Sequence, residues 1–299
     1  MSTVDRRSFL KYSALAPLAF SLPFNLASET DQPLIKKSLK YGMIKEDLSL
    51  LDKFKLIKDL GFDGVEMDSP NNLPEKEILE ARDKTGLLLP GVVNSVHWNS
   101  PLSDADPAVR GKCVESMKTA LRDCKKYGGT TVLLVPAVVN DKVSYADAYS
   151  RSQEEIRKLL PIAEETGIKI AIENVWNNFL LSPLEAARYI DEFKSPMIGW
   201  YMDIGNIVRY GWPEQWVRTL GQRILKIDIK DYSRKKATDE GIWKGFNAEL
   251  GDGDVNWAAV NKALIEIGYK GWGSAEVNGG DKVRLKEISE RMDRLYAMK

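Results

Sequence analysis

The sequence predicts a single (β/α)8 barrel of the TIM type over residues 34–299. Two observations carry that prediction and a third removes its main rival. Short runs rich in β-branched and aromatic residues alternate with longer stretches whose apolar residues recur every three or four positions. Such alternation argues for parallel strands joined by helical crossovers. Eight units fit into roughly 265 residues, close to the ~250 that this barrel commonly occupies. No G-x-G-x-x-G follows the first strand, which disfavours a dinucleotide-binding open sheet.

The first strand is expected at Leu39–Met43, followed by a helix over Leu48–Leu60 with Leu50, Leu51, Phe54, Ile57 and Leu60 on its apolar face. Strands two to four are expected at Gly64–Met67, Gly91–Val96 and Thr131–Val135. A helix over Glu154–Thr166 carries Ile156, Leu159, Leu160 and Ile162 and leads into the fifth strand, Lys169–Glu173. Ile198–Asp203, Ile224–Lys230 and Trp272–Val277 complete the eight strands, and Asp281–Ala297 reads as the last helix. Gly61, Gly86, Gly128, Gly167 and Gly268 stand where helices should stop, in the position that favours left-handed backbone. The longest connection, Asp231–Asn256, follows strand seven, and a loop of that length in a compact domain is usually functional. No repeat or linker marks a second domain.

Composition narrows the function. The 299 residues hold 43 Lys+Arg against 43 Asp+Glu, so the basic imbalance of a nucleic-acid binder is missing. The two cysteines, Cys113 and Cys124, fall on one helix roughly 16 Å apart, too far for a disulfide. No Cys/His zinc pattern occurs, and His97 is the one histidine. At the N-terminus, Asp5-Arg6-Arg7-Ser8-Phe9-Leu10-Lys11 precedes an apolar stretch to about Ala27. This resembles a bacterial twin-arginine export signal, so residues 1–33 are expected to be signal and linker, and the protein to be exported to the periplasm. The apolar run is short for a membrane span and contains Pro17 and Pro23, so no stable membrane anchor is expected once the signal is removed.

The site should lie at the C-terminal ends of the strands. Those ends are acidic: Glu66 on strand two, Glu173 on strand five, Asp203 on strand six, Asp228 within strand seven and Glu276 on strand eight. A carboxylate ending an apolar strand is costly unless paired or liganded. Four of them on successive strands repel one another, and a divalent cation resolves the conflict. Lys226, Asp228 and Lys230 share one face of their strand, so a lysine beside Asp228 is an alternative partner to metal.

With Glu173-Asn174, Asp203-Ile204-Gly205-Asn206, Ile227-Asp228-Ile229-Lys230-Asp231 and Glu276 in view, the chain resembles the xylose isomerase-like superfamily of sugar isomerases and epimerases across residues 38–299. The resemblance implies metal ligands at Glu173, Asp203, Asp228 and Glu276, with Glu173 and Glu276 also acting as acid and base. The family usually places a histidine where this chain has Asp228. A carboxylate there makes the site all-oxygen and favours Mn²⁺ or Mg²⁺ over Zn²⁺, with Mn²⁺ first and Co²⁺ also compatible. The family's 3-epimerases carry a glutamate six residues beyond the first ligand, where this chain has Phe179.

The reaction implied is proton abstraction beside a carbonyl, through an enediolate, on a free or keto sugar. Glu66, His97, Trp98, Trp176, Asn206 and Lys230 are the expected substrate contacts; Trp212 and Trp243 also lie near predicted rim loops. The same machinery would suit a lyase or hydratase performing β-elimination on a 3-keto-glycoside. A non-catalytic sugar-binding barrel is the reading from another class. The superfamily's DNA-repair branch uses several histidines, and one histidine with zero net charge argues against it. The partner expected is therefore a small-molecule sugar and not a nucleic acid, with a homo-oligomer left open.

Overall fold

The computed structural model describes residues 34–299; the expected export segment lies outside the described residues. Eight parallel strands close into a barrel in chain order: β1 (Leu34–Lys40), β2 (Gly64–Ser69), β3 (Gly91–Asn94), β4 (Thr131–Leu134), β5 (Lys169–Glu173), β6 (Ile198–Asp203), β7 (Ile224–Ile229) and β8 (Lys270–Ala275). β1 pairs with both β2 and β8, which is the closure. The single-barrel fold class is what the alternation predicted.

The helices are α1 (Leu50–Asp59), α2 (Glu75–Thr85), α3 (Pro107–Tyr127), α4 (Tyr145–Arg157), α5 (Leu160–Thr166), α6 (Pro183–Asp191), α7 (Ile204–Val208), α8 (Pro213–Leu220), α9 (Arg234–Glu240), α10 (Trp257–Glu266) and α11 (Lys282–Tyr296). Side-chain caps start most of them, as Ser49, Asp106, Ser144, Ser182 and Asp281 each accept a backbone N–H of the first turn. The five predicted stop glycines all have positive φ, from 66° to 86°. The main core lies between strands and helices, with Phe54, Ile57, Ile78, Met117, Ile170, Trp200 and Ile288 fully buried in it.

Two elements depart furthest from expectation, and β8 runs Lys270–Ala275 against the expected Trp272–Val277. The helix expected over Glu154–Thr166 is two helices, because the chain turns at Lys158 and Leu159 before Pro161 opens α5. Proline has no N–H to continue a helix and suits its first turn. The first strand runs Leu34–Lys40 rather than Leu39–Met43. Its three lysines read as a solvated segment, yet Lys37 threads outward to Ser289 Oγ (2.9 Å) and Asp293 (2.6 Å) on α11. Ser38 and Lys40 face the other way, into the barrel.

That interior is only partly apolar. Leu133, Ala171 and Tyr201 form a small cluster with Val93 and Leu225. The remainder is ionic. Glu66 bonds Lys226 on one side and Lys40 on the other (2.8 Å), and accepts the Tyr201 hydroxyl at 2.7 Å. Burial alone would raise the Glu66 carboxyl, but the ammonium groups of Lys226 and Lys40 outweigh it and hold it far below the usual carboxylate range. Burial in turn lowers Lys226, against the pull of Glu66. Gly91 makes room for this pair, since a Cβ there would meet the Lys226 ammonium at 2.6 Å and the Thr131 carbonyl at 2.6 Å.

The connection after β7 is organised by one buried carboxylate. Asp231 accepts the backbone N–H groups of Tyr232, Gly251 and Val255 and the indole N–H of Trp257. A Cβ at Gly253 would lie 2.0 Å from Asp231 Oδ1, so only glycine fits. The segment holds α9 and a 3-10 turn over Ile242–Asn247, which brings Trp243 and Phe246 to the barrel mouth.

Glu66→Leu alone strands the Lys226 and Lys40 ammonium groups and should cost about 3–5 kcal/mol in urea unfolding. Adding Lys226→Met should recover most of that loss. A single-variant cost below about 1 kcal/mol, within the range of an exposed pair, would show that Glu66 is not structural.

Candidate active site

The C-terminal ends of β5 and β6 are stitched by Asn174. Its Oδ1 accepts the Asp203 N–H (3.0 Å) and the Trp200 indole N–H (3.1 Å), while its amide donates to the Asp203 carbonyl at 2.7 Å. Asn206 donates its amide to the Asn174 carbonyl and accepts the Trp176 indole N–H on its own carbonyl (both 2.9 Å). Asp203 caps α7 by accepting the Asn206 N–H at 2.8 Å. The motifs Glu173-Asn174 and Asp203-Ile204-Gly205-Asn206 thus form one bracket that aims two carboxylates inward.

β6 and β7 set Asp203 directly opposite Asp228 in register. Glu276 follows β8, its N–H donating to the Ile229 carbonyl at 3.2 Å. Glu173, Asp203, Asp228 and Glu276 each bring an oxygen within 4.8 Å of the others. Lysines enter from two sides. Lys40 lies 2.9 Å from Asp228 and Lys230 lies 2.8 Å from Asp203 and 2.6 Å from Glu276. The lysine beside Asp228 is therefore Lys40 from β1, not a neighbour on its own strand; Lys226 is taken by Glu66. β8 runs between Lys40 and Asp228 and carries the small Ser274 at that level.

The lysines do not satisfy the cluster. Asp203 Oδ2 meets the Lys230 ammonium at 2.8 Å and Asp228 Oδ1 that of Lys40 at 2.9 Å, but the buried Asp228 Oδ2 accepts no hydrogen bond. Burial and the neighbouring carboxylates push Glu173 well above the ordinary range, and burial does the same to Asp228 against the pull of Lys40. Asp203 is raised to about 6, chiefly by burial, while Lys230 and Lys40 together overcome burial at Glu276 and lower it. Four carboxylates converging from successive strands, with a buried Asp228 oxygen that no donor meets, fit a hard divalent cation. These four residues could hold one.

A cavity of about 380 Å³ opens above the cluster, lined by Glu173, Lys230 and Glu276 and by Trp98, Trp176, Asn206, Trp243 and Phe246. Trp176 is its aromatic hub, with ring centroids 4.9 Å from Trp243 and 4.8 Å from Phe246. Trp98, Trp176, Asn206 and Lys230 thus stand where substrate contacts were expected. Two expected contacts do not. Glu66 lies below the cavity with both oxygens committed to lysines and Tyr201. His97 is 3% exposed and does not line the cavity, and its Nδ1 accepts the Val135 N–H at 3.3 Å. Trp212 is exposed but lines no part of this cavity. Phe179 is buried among Tyr145, Tyr149 and Tyr189.

Sequence reasoning missed Lys40, Tyr201 and Phe246. Lys40 was detectable: strand alternation from Leu34 puts it inward at the strand's end. Phe246 carried no such signal, since a tertiary carboxylate, Asp231, folds the loop that delivers it.

Because His97 is the one histidine, its imidazole signals are unambiguous in NMR. Burial lowers its pKa to about 4, with Glu276 opposing. The folded value lies below the unfolded 6.5, so the native state binds fewer protons between the two. Its stabilising contribution is full above pH 6.5 and is lost as pH falls toward 4. A neutral ring protonated on Nε2, titrating near 4, is expected; titration near 6.5 would place His97 in solvent.

Residues 54–298 match the family model described as xylose isomerase-like TIM barrel. Among curated proteins, L-ribulose-5-phosphate 3-epimerase UlaE of Escherichia coli O1:K1 / APEC is 24% identical over 254 residues, 80% of this chain and 87% of that protein. The Shigella flexneri protein of that name gives the same figures. Among solved structures, D-psicose 3-epimerase in the presence of D-fructose has a TM-score of 0.72 at 17% identity, over 88% of this chain and 99% of its own. The apo 3-keto-D-glucoside 4-epimerase YcjR from E. coli gives the same TM-score, identity and coverage. These structural likenesses establish the shared fold. The family match covers most of the chain and includes every strand from β2 onward, and the chain belongs to the xylose isomerase-like TIM barrel family.

Proposed function

We propose that the protein is a metal-dependent sugar epimerase or isomerase that moves a proton on a carbon beside a carbonyl. The observation that carries this reading is the convergence of Glu173, Asp203, Asp228 and Glu276 within 4.8 Å, with four carboxylates there against two lysines. The named relatives act on ribulose phosphate, psicose and keto-glucoside, which supports a sugar as substrate.

The four carboxylates would hold the cation, and their all-oxygen set favours Mn²⁺ or Mg²⁺. Such an ion, when bound, supplies Lewis-acid stabilisation to the negative charge that develops on a sugar oxygen. Glu173 and Glu276, on β5 and just past β8, border the cavity from different strands. One carboxylate accepts the proton from carbon while the other returns one. Lys230 holds Glu276 in place and keeps a cation beside the reacting oxygens. Trp176, Trp243 and Phe246 exclude water and offer flat faces to the C–H surface of a sugar. Phe179 stands where the 3-epimerases place a glutamate, so the reaction class is proposed and not carbon 3. The twin-arginine-like start adds the proposal that this chemistry takes place in the periplasm.

Metal analysis of purified protein should find one divalent ion per chain. Glu173→Gln should lose it, and Asp228→Asn should lower its affinity roughly ten- to hundredfold if Asp228 ligates. Full retention in Asp228→Asn would leave Asp228 as a partner of Lys40 alone.

In D2O, a keto-sugar should incorporate deuterium at the carbon beside the carbonyl. Glu276→Gln should slow that exchange by about 10²–10⁴. Release of a substituent without exchange would indicate elimination instead, and no exchange on any keto-sugar would overturn the enzymatic reading.

A further inference from the structure

A second cavity of about 260 Å³ adjoins the first and shares Val175, Trp176 and Asn206 with it as a common wall. Its character is different. No charged side chain lines it; Phe179, Leu180, Ile207 and Trp216 form its buried apolar surfaces beside Asn174, Asn178 and Asn206, and Leu181 and Tyr210 stand at its rim, 64% and 65% exposed. Exposed apolar side chains of that size beside a polar site mark a surface shaped for a ligand.

The backbone supports this reading independently. Leu180 has φ +52°, a left-handed conformation that leucine enters only when its surroundings impose it. The surroundings do so through polar bonds. The Leu180 N–H donates to the Tyr145 hydroxyl (2.9 Å), which donates to Glu185 Oε2 (2.6 Å), and the same oxygen accepts the Leu181 N–H (3.1 Å). Three hydrogen bonds through two side chains, Tyr145 and Glu185, thus fix the backbone of Leu180 and Leu181, and Leu181 is held at the rim where it adds nothing to the core. The central cavity of about 380 Å³ already lies within the ~300–1,000 Å³ of small-molecule sites, so a monosaccharide there leaves the second cavity vacant.

We propose that this cavity is a subsite for an apolar substituent on the sugar, and that the substrate class is an aryl or alkyl glycoside of a keto-sugar rather than a free monosaccharide. The inference rests on the sugar reading of the acidic cavity. The sugar occupies the space over Glu173 and Glu276, and the aglycone passes Trp176 into the pocket under Leu181 and Tyr210. The aglycone gains by leaving water against apolar walls, and no bond is made or broken there.

The test is a binding measurement, so it does not depend on turnover. Phenyl and methyl glycosides of one keto-sugar are titrated into the Mn²⁺-loaded full-length protein by calorimetry. The phenyl compound should bind roughly tenfold or more tighter. Leu181→Asp and Tyr210→Ser, both at exposed positions that leave the core intact, should each reduce that ratio, and the pair should bring it to within about twofold of unity. Equal affinities in the unaltered protein, a ratio that survives the double substitution, or no binding of either glycoside would overturn the subsite. The sugar-epimerase reading fails separately, by absence of deuterium exchange. A phenyl preference that depends on Leu181 and Tyr210 without exchange would keep the subsite and remove the reaction, while exchange with equal affinities would do the reverse.

Discussion

The structure depends on how a barrel closes around charge. Lys226, Glu66, Lys40 and Asp228, in that order, form an alternating chain across the interior, running from the depth of the barrel to its mouth. Each member is too buried to exist as a lone ion. Each is tolerable because its neighbours carry the opposite sign. The apolar part of the interior, Leu133, Ala171 and Tyr201, is small because the ionic chain occupies the space that side-chain layers fill in other barrels. Gly91 is the small residue that leaves room for the Lys226 ammonium. The upper end of the chain is where the compensation stops, and there the cluster of carboxylates begins.

This explains what was legible in the sequence. The strands that read as continuous apolar runs closed by an acid, β5 and β6, fall at the predicted residues, and their terminal acids lie where the pattern put them. A strand end plus a carboxylate is a local signal. The barrel-filling lysines are not. Alternation along β1 puts Lys37 and Lys40 on opposite faces, but only the closed topology reveals that the first meets α11 and the second Asp228. Glu66 misled in the same way: as a strand-end acid it resembled the others, but its partners arrive from β1, β6 and β7, which no spacing within β2 encodes. His97 misled because burial and the Val135 N–H remove it from the cavity, and neither is visible in Val96-His97-Trp98.

The wall of the cavity follows another logic. Trp176 comes from the connection after β5, and Trp243 and Phe246 come from the connection after β7. Those connections meet because polar groups pin each one: Asp231 gathers the backbone of residues 232–255, and Asn206 holds the Trp176 indole. Aromatic surface at the mouth is thus positioned by buried hydrogen bonds rather than by aromatic packing alone. The edge contacts of Trp176 with Tyr210 and Tyr232 add to a position already set.

Asp228 is the residue at which the two logics meet. A histidine in its place would be neutral, and the carboxylate brings one more negative charge. Lys40 answers it, but Lys40 is shared with Glu66. Over the whole chain and cluster, the carboxylates of Glu66, Glu173, Asp203, Asp228 and Glu276 face the three ammonium groups of Lys40, Lys226 and Lys230. Two negative charges remain. Burial and mutual repulsion raise Glu173, Asp228 and Asp203 above the ordinary carboxylate range, which is the strain that this excess of charge produces. A divalent cation carries the charge that would offset those two and would favour the ionised form of the same carboxylates. The substitution of Asp228 for histidine therefore does not argue against a metal centre, because the lysine from β1 and the acid from β7 enter together and leave the charge of the cluster matched to one divalent ion.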